Sequence, residues 1–308
     1  MKNETLGVEG MEVSELIREL RIEKGVCQEV LYQGLCTRKK YFQLENGEVV
    51  MDELLSERLF SRLHMQYKLI DIMLDDNNFW QKECRHEINV QLQKMAWEKA
   101  ESLLKEYEDR APKTELHTQY VLAKRAEIGL KTGHKCGTVF LEALELTMPI
   151  QELESRLKGN GVIAEDELMW YFYYRICDKP FSIEECNLFL GRIEDLFLSV
   201  QIYADVYFEV AHWYVYFLLE EEQYVLCRKI CQKAISWLKR GVKNFYLSEF
   251  YFLDAVVGMK LKHEPEDERK LFQQCKMAYY VSISFGEKDV AEKIKKQCKE
   301  NYGWHITD

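Results

Sequence analysis

Apolar residues recur every three or four positions along most of this chain, the spacing of one helix face rather than of a strand. Leu16, Ile17 and Leu20 form such a stripe and predict a helix over Val13 to Glu23, ended by Gly25 as a left-handed cap. A short helix follows from Gln28 to Gln33, with a tight break at Gly34-Leu35-Cys36. Thr37 is placed to cap a third helix, Arg38 to Leu44, which Asn46-Gly47 closes. A fourth runs from Asp52 to Leu63 and turns Leu54, Leu55, Leu59, Phe60 and Leu63 inward. From Gln66 onward one helical pattern follows another. Breaks are expected at Asp75-Asp76-Asn77-Asn78, Ala111-Pro112, Thr132-Gly133, Lys158 to Gly161, Asp178 to Pro180, Gly241, Glu264-Pro265 and Phe285-Gly286. No segment sustains a period of two, so no strand is predicted. The fold class is all-α.

The later helices repeat. Shifting the sequence by 44 places Asp205, Tyr207, Phe208 and Ala211 on Glu249, Tyr251, Phe252 and Ala255, and places Cys231 and Ala234 on Cys275 and Ala278. Each unit reads as two antiparallel helices with small residues at their crossing. The segment from Gly286 to Gly303 reads as a capping helix, and the stretch around Ala100, Ala126 and Ala143 as an earlier, less regular pair. Stacked pairs of this kind form a quasi-one-dimensional array whose first helices line a concave face. The groove positions are then Glu209, His212, Tyr216 and Glu220 in one unit, and Leu253, Val256, Lys260 and His263 in the next.

Composition narrows the class. The chain has 308 residues, 47% of them hydrophobic and only four of them proline, enough for an extensive core and long helices. No apolar run approaches the roughly 18 residues that span a bilayer. Met1 to Gly10 is polar and acidic, unlike a secretory signal. The ten cysteines are scattered without a C-x-x-C pair. Buried thiols in a cytoplasmic protein are the expectation. The net charge of −10 excludes a chain-wide basic footprint. Residues 1 to 65 carry nine Lys and Arg against twelve Asp and Glu, a balance of −3, so any nucleic-acid contact must come from a local patch. One exists: Arg38, Lys39 and Lys40 stand together at a helix start, opposite Tyr41 and Leu44. Arg and Lys on a helix entering a major groove about 12 Å wide can pair with guanine edges.

Leu20-Arg21, Lys24-Gly25 and Gln28-Glu29, then Gly34 to Thr37, then Leu44 to Gly47, follow one another at a spacing that resembles the helix-turn-helix of the lambda-repressor-like (Xre) family. The resemblance implies a five-helix DNA-binding domain over 11–65. It also implies roles by position: Arg21 and Glu45 as an internal salt bridge, Gln28 and Asn46 near phosphates, and Thr37, Arg38, Lys39, Lys40 and Gln43 on the recognition face. Tyr32, Phe42 and Cys27 depart from the family's usual small, polar and hydroxyl residues at their positions. The repeats over 66–308 resemble degenerate tetratricopeptide arrays. Together the halves are similar to the peptide-responsive quorum-sensing regulators of the Rgg, PlcR and PrgX type in Gram-positive bacteria. That layout implies a homodimeric transcription regulator that binds double-stranded DNA, is gated by a short signalling peptide and uses the array for sensing and dimerisation. An adaptor whose helix-turn-helix no longer binds DNA is the alternative. The two part on whether Arg38, Lys39, Lys40 and Gln28 share an exposed face clear of Glu29, Glu48 and Glu53.

Within the array, His212, Tyr216, Lys260 and His263 are the candidate peptide contacts: an aromatic face, a cation for a terminal carboxylate, and imidazoles for backbone groups. A groove filled by the segment around Trp304, or by a partner chain, remains open. Trp170 to Tyr174 and Trp213 to Phe217 read mainly as core, with Tyr216 and Tyr173 as the residues that could face a ligand. Cys227 and Cys231, at i and i+4, fit core positions better than metal ligation, and Cys84 with His86 is weaker still. No phosphate-binding loop, metalloprotease motif or nucleophile signature is present, so neither a cofactor nor an enzyme activity is expected.

Overall fold

Sixteen α-helices and no strand make up the described residues of a computed structural model, which describes residues 13–50, 52–65, 76–159, 161–200, 203–240, 246–261 and 268–306. They fall into two units, Met1–Phe181 and Ser182–Asp308. No described helix is long and apolar enough to cross a membrane.

The first unit begins with α1 (Val13–Glu23), α2 (Gln28–Tyr32), α3 (Arg38–Glu45) and α4 (Glu53–Arg62). Local chemistry sets these bounds. Gly25 and Gly47 take the left-handed conformation after α1 and α3. The side chains of Thr37 and Asp52 accept from the amides of Lys40 and Leu55, satisfying donors that a helix start leaves orphaned. Ile17, Leu31, Tyr41, Leu44, Leu54, Leu59 and Phe60 form the buried interior of this head. Beyond it lie α5 (Asp76–Gln93), α6 (Trp97–Arg110), α7 (Glu115–Lys131), α8 (Gly137–Glu145), α9 (Ile150–Lys158) and α10 (Glu165–Asp178). Each of α5 to α8 packs against the next, and α8 also packs on α10. Ala111, Thr132, Gly159 and Lys179 end helices where breaks are expected. Helix α5 already starts at Asp76, within the break expected at 75–78. Two further breaks in this unit were not among those expected: Met95, with φ of 56°, before α6, and the turn at Pro149 between α8 and α9. The breaks at Gly241 and Glu264-Pro265 lie outside the described residues.

Helix α4 is buried on several sides and carries its charges inward. Arg62 is fully buried and its Nη2 donates to Glu167 of α10 at 2.6 Å, while Nη1 donates to the carbonyls of Leu31 and Gln33 at 2.9 and 2.7 Å. Arg58 pairs with Asp166 at 3.1 Å and lies over the Trp170 ring. On another side Glu53 pairs with Arg85 of α5. Asp52 meets His117 of α7 at 3.2 Å, and His117 in turn meets the Tyr107 hydroxyl of α6 at 2.8 Å. Arg85 donates to the Tyr107 oxygen, so Tyr107 gives its proton to His117 Nδ1, and His117 Nε2–H points at Asp52. Buried charges persist only when paired and hydrogen-bonded in this way. The head is thereby seated on the helices that follow it.

The second unit contains α11 (Ile183–Val200), α12 (Ala204–Glu220), α13 (Tyr224–Leu238), α14 (Leu247–Lys260), α15 (Glu268–Ser284) and α16 (Lys288–Tyr302). Each packs on its successor, and α12 also meets α14, the pattern of stacked helix pairs. The repeat positions carry the seam: Tyr207, Phe208, Ala211, Tyr251, Phe252, Ala255, Cys231, Ala234, Cys275 and Ala278 are all buried. Asp254 ties neighbouring pairs together, accepting from Gln274 of α15 at 2.9 Å and lying 3.8 Å from Arg228 of α13. Tyr173, considered for a ligand face, is core in the first unit with Trp170, Tyr171 and Phe172, because α10 is covered nearly all round.

Candidate functional site

The outer face of α3 is built by what its inner face buries. Tyr41, Leu44 and Glu45 point into the head, which leaves Arg38, Lys39, Lys40 and Phe42 exposed and Gln43 half-buried. The Thr37 hydroxyl accepts from Lys40 N at 3.3 Å and fixes the helix start beneath the three cations. Arg38 lies 5.5 Å from the Phe42 ring centroid, so the apolar residue in this face serves as a platform for a guanidinium.

Glu45 organises the other side. Arg21 Nε donates to its Oε1 at 2.7 Å, the Tyr41 hydroxyl donates to the same oxygen at 3.1 Å, and the Gln28 amide donates to Oε2. Arg21 also holds the Val26 carbonyl at 3.2 Å. Burial works against the Arg21 charge, but Glu45 outweighs it and the guanidinium pKa rises. Burial and the same carboxylate push the Tyr41 hydroxyl up. Gln28 is therefore half-buried and engaged rather than free on the surface. Asn46 caps the end of α3, with its amide 3.4 Å from Glu48. Of the three acids near the cationic face, Glu53 is withdrawn into its pair with Arg85, while Glu29 and Glu48 stay exposed. Tyr32 packs on Tyr41 with the rings tilted and their centroids 5.1 Å apart, filling the space that a small residue would leave between α2 and α3.

In the second unit, α12 leaves Glu209, His212, Tyr216 and Glu220 at least partly exposed, and α14 leaves Glu249, Val256 and Lys260 so. Leu253, expected on this face, is buried, since α14 packs against α12, α13 and α15 and only a narrow stripe escapes. His263 lies outside the described residues. His212 pairs with Glu249 and packs edge-on to Tyr216 at 5.1 Å, and the Tyr246 hydroxyl donates to Glu209. Burial and then Glu249 push the Tyr216 hydroxyl up to about 12. Burial opposes the Glu249 charge, but His212 and Lys293 hold its carboxyl below the usual range. A small cleft there is lined by Tyr216, Glu249, Phe252, Val290, Lys293 and Ile294. Lys260 stands exposed at the end of α14. Glu249, Tyr246 and Lys293 escaped sequence reasoning, although Glu249 is the 44-residue counterpart of Asp205. Trp304 does not fill this face. It packs on Phe272 of α15 and on Tyr302, at 5.3 and 5.2 Å. Cys227 and Cys231 are buried, and no group of three or more metal-ligating side chains occurs among the described residues.

No protein-family model matches the sequence, and no curated protein matches it either. Among solved structures, the chain is similar to PlcR of Bacillus thuringiensis, in complex with the peptide PapR7 and DNA. The identity is 12%, the TM-score 0.54, and the match covers 92% of this chain and 98% of that one. It is also similar to the apo form of the competence regulator ComR from Streptococcus vestibularis, at 16% identity and a TM-score of 0.49, over 94% and 98% of the two chains. The all-helical fold, with a helix-turn-helix head followed by tetratricopeptide-like repeats, is that of PlcR over nearly the whole chain.

Proposed function

We propose that this protein is a cytoplasmic, sequence-specific DNA-binding transcription regulator, in which residues 11–65 read DNA and residues 66–308 sense a short peptide and hold a homodimer. The observation that carries the reading is the face of α3: Arg38, Lys39 and Lys40 exposed above a capped helix start, backed by the Arg21–Glu45 pair. The fold supports it, since PlcR, which shares that fold, is seen with both a peptide and DNA. Thr37, Gln43 and Asn46 flank the cations on the same helix and its end, where Thr37 and Asn46 can approach phosphate and Gln43 a base edge. In the array, His212, Tyr216 and Lys260, together with His263 from the sequence, are the candidate contacts that would offer the peptide an aromatic face and a cation, and Glu249 and Lys293 line the cleft beside Tyr216 with a charge of each sign.

The test is binding of the purified chain to DNA fragments selected from a random pool, measured across a salt series with and without candidate peptides. Lys39→Ala with Lys40→Ala is expected to weaken binding and to reduce the log–log salt slope by nearly one unit for each phosphate no longer neutralised. An unchanged slope overturns the DNA assignment. Tyr216→Ala with Lys260→Ala is expected to abolish the response to a binding peptide, and equal binding by that variant moves the peptide off this face.

A further inference from the structure

An apolar ring stands on the cationic face of α3. Phe42 keeps 37% of its surface exposed, while Tyr41 beside it in sequence is buried in the head. A single exposed phenylalanine on a protein surface needs no explanation. This one is set apart by its place. Residues four apart on a helix lie one above the other, so Arg38 and Phe42 form one row on the outer face, and Lys39 and Gln43 form the row beside it. The Arg38 guanidinium carbon is 5.5 Å from the Phe42 ring centroid, so the ring restricts where the planar donor fork of Arg38 can point. The Thr37 cap fixes the start of the same row, 3.3 Å from Lys40 N.

A bare aromatic ring offers neither donor nor acceptor. Set against a polar base edge, it leaves that edge without a partner at the cost of its desolvation. The major groove holds one apolar group, the 5-methyl of thymine, and packing against it is favourable for a ring. The neighbouring guanidinium has the opposite preference, for the two acceptors of guanine, O6 and N7. Successive bases along a strand are about 3.4 Å apart, so a separation of 5.5 Å between guanidinium and ring spans one to two steps.

We infer that Phe42 is a base-reading residue: its ring packs on the 5-methyl of a thymine, and the Arg38 that it supports pairs with a guanine within about two base pairs of that thymine. The inference rests on the DNA-binding reading above and specifies what the outer face of α3 reads. Lys39 and Lys40 neutralise phosphates on this arrangement, whereas Arg38 and Phe42 discriminate between bases.

The experiment uses the full chain and a site that the wild type selects from a random DNA pool. Each thymine of the site is replaced in turn by deoxyuridine, which differs from it only in lacking the methyl. One such replacement is expected to weaken wild-type binding about fourfold, the worth of burying one methyl-sized group, and to leave binding by Phe42→Ala unchanged. Phe42→Leu, which keeps an apolar contact without the ring, is expected to retain the preference for thymine, and it keeps the test standing should the alanine variant be unstable. At the nearby guanine, 7-deazaguanine, which lacks the N7 acceptor, is expected to weaken the wild type but not Arg38→Ala. The salt slope of Phe42→Ala is expected to equal that of the wild type, because no phosphate contact is lost. Wild-type indifference to uracil at every position, or the same uracil penalty in Phe42→Ala, overturns the inference and leaves the DNA reading intact. A pool that yields no enriched site brings down the DNA reading itself, and the inference with it.

Discussion

Arg62 shows how far a single residue can reach in this fold. Its guanidinium has no solvent exposure, and it joins the end of α2 to α10 through two carbonyls and the Glu167 carboxylate. Removing one partner of such a pair leaves an uncompensated buried charge. Glu167→Gln is therefore expected to cost about 3–5 kcal/mol of unfolding free energy in urea titration. A loss below about 1 kcal/mol would show that Arg62 finds its compensation elsewhere. The same residue sets a pH dependence. Burial alone would raise the Glu167 carboxyl, but Arg62, Arg58 and the Ala164 amide hold it below the usual carboxylate range, and His117 does the same for Asp52 against its own burial. With folded pKa values below the unfolded ones, the unfolded chain binds more protons as the medium is acidified. Stability is full above the ordinary carboxylate range near 4 and falls as pH drops through the depressed folded values. Acid titration should show this decline, and Glu167→Gln should make it shallower. None of this pairing was legible in the sequence, because Arg62 and Glu167 stand 105 residues apart.

At the scale of elements, helix starts and stops were largely written in local chemistry. Thr37, Asp52, Gly25 and Gly47 act within a few residues of themselves, so α1, α3 and α4 begin and end within a residue or so of where the sequence places them. The turn between α2 and α3 adds a constraint that the sequence does not show. Gly34 has φ of 78°, and a Cβ there would lie 1.5 Å from the carbonyl oxygen of Thr147, in the turn between α8 and α9. Gly25, at φ of 65°, has nothing within 4 Å of the same position. Gly25→Ala should cost about 1 kcal/mol, the ordinary penalty of a left-handed backbone. Gly34→Ala should cost at least twice that, and equal melting temperatures for the two variants would mean that the head is not seated on Thr147. Met95 marks the opposite case. It follows α5 in a left-handed conformation without glycine, so composition carried no warning of the break.

For the whole molecule, the size of the head bears on the assembly that the proposed function expects. Under the proposed function, one α3 would contact too few base pairs for specificity, and two copies related by a dyad would match half-sites about 34 Å apart. Sedimentation of the 36.8 kDa chain should give twice that mass at micromolar concentration. A monomer persisting with DNA present would rule the dimer out. Periodicity, caps and the 44-residue repeat determined the helical class, the order of head and array, and which repeat residues form the seam, because each of these signals is carried by residues close in sequence or equally spaced along it. Tertiary structure alone decided which charges are buried, that Gln28 is turned onto Glu45, that Trp304 lies on α15 and that Glu249 faces His212. Those outcomes depend on which helices come to lie side by side, and the cost of an unpaired buried charge is defined only once they have.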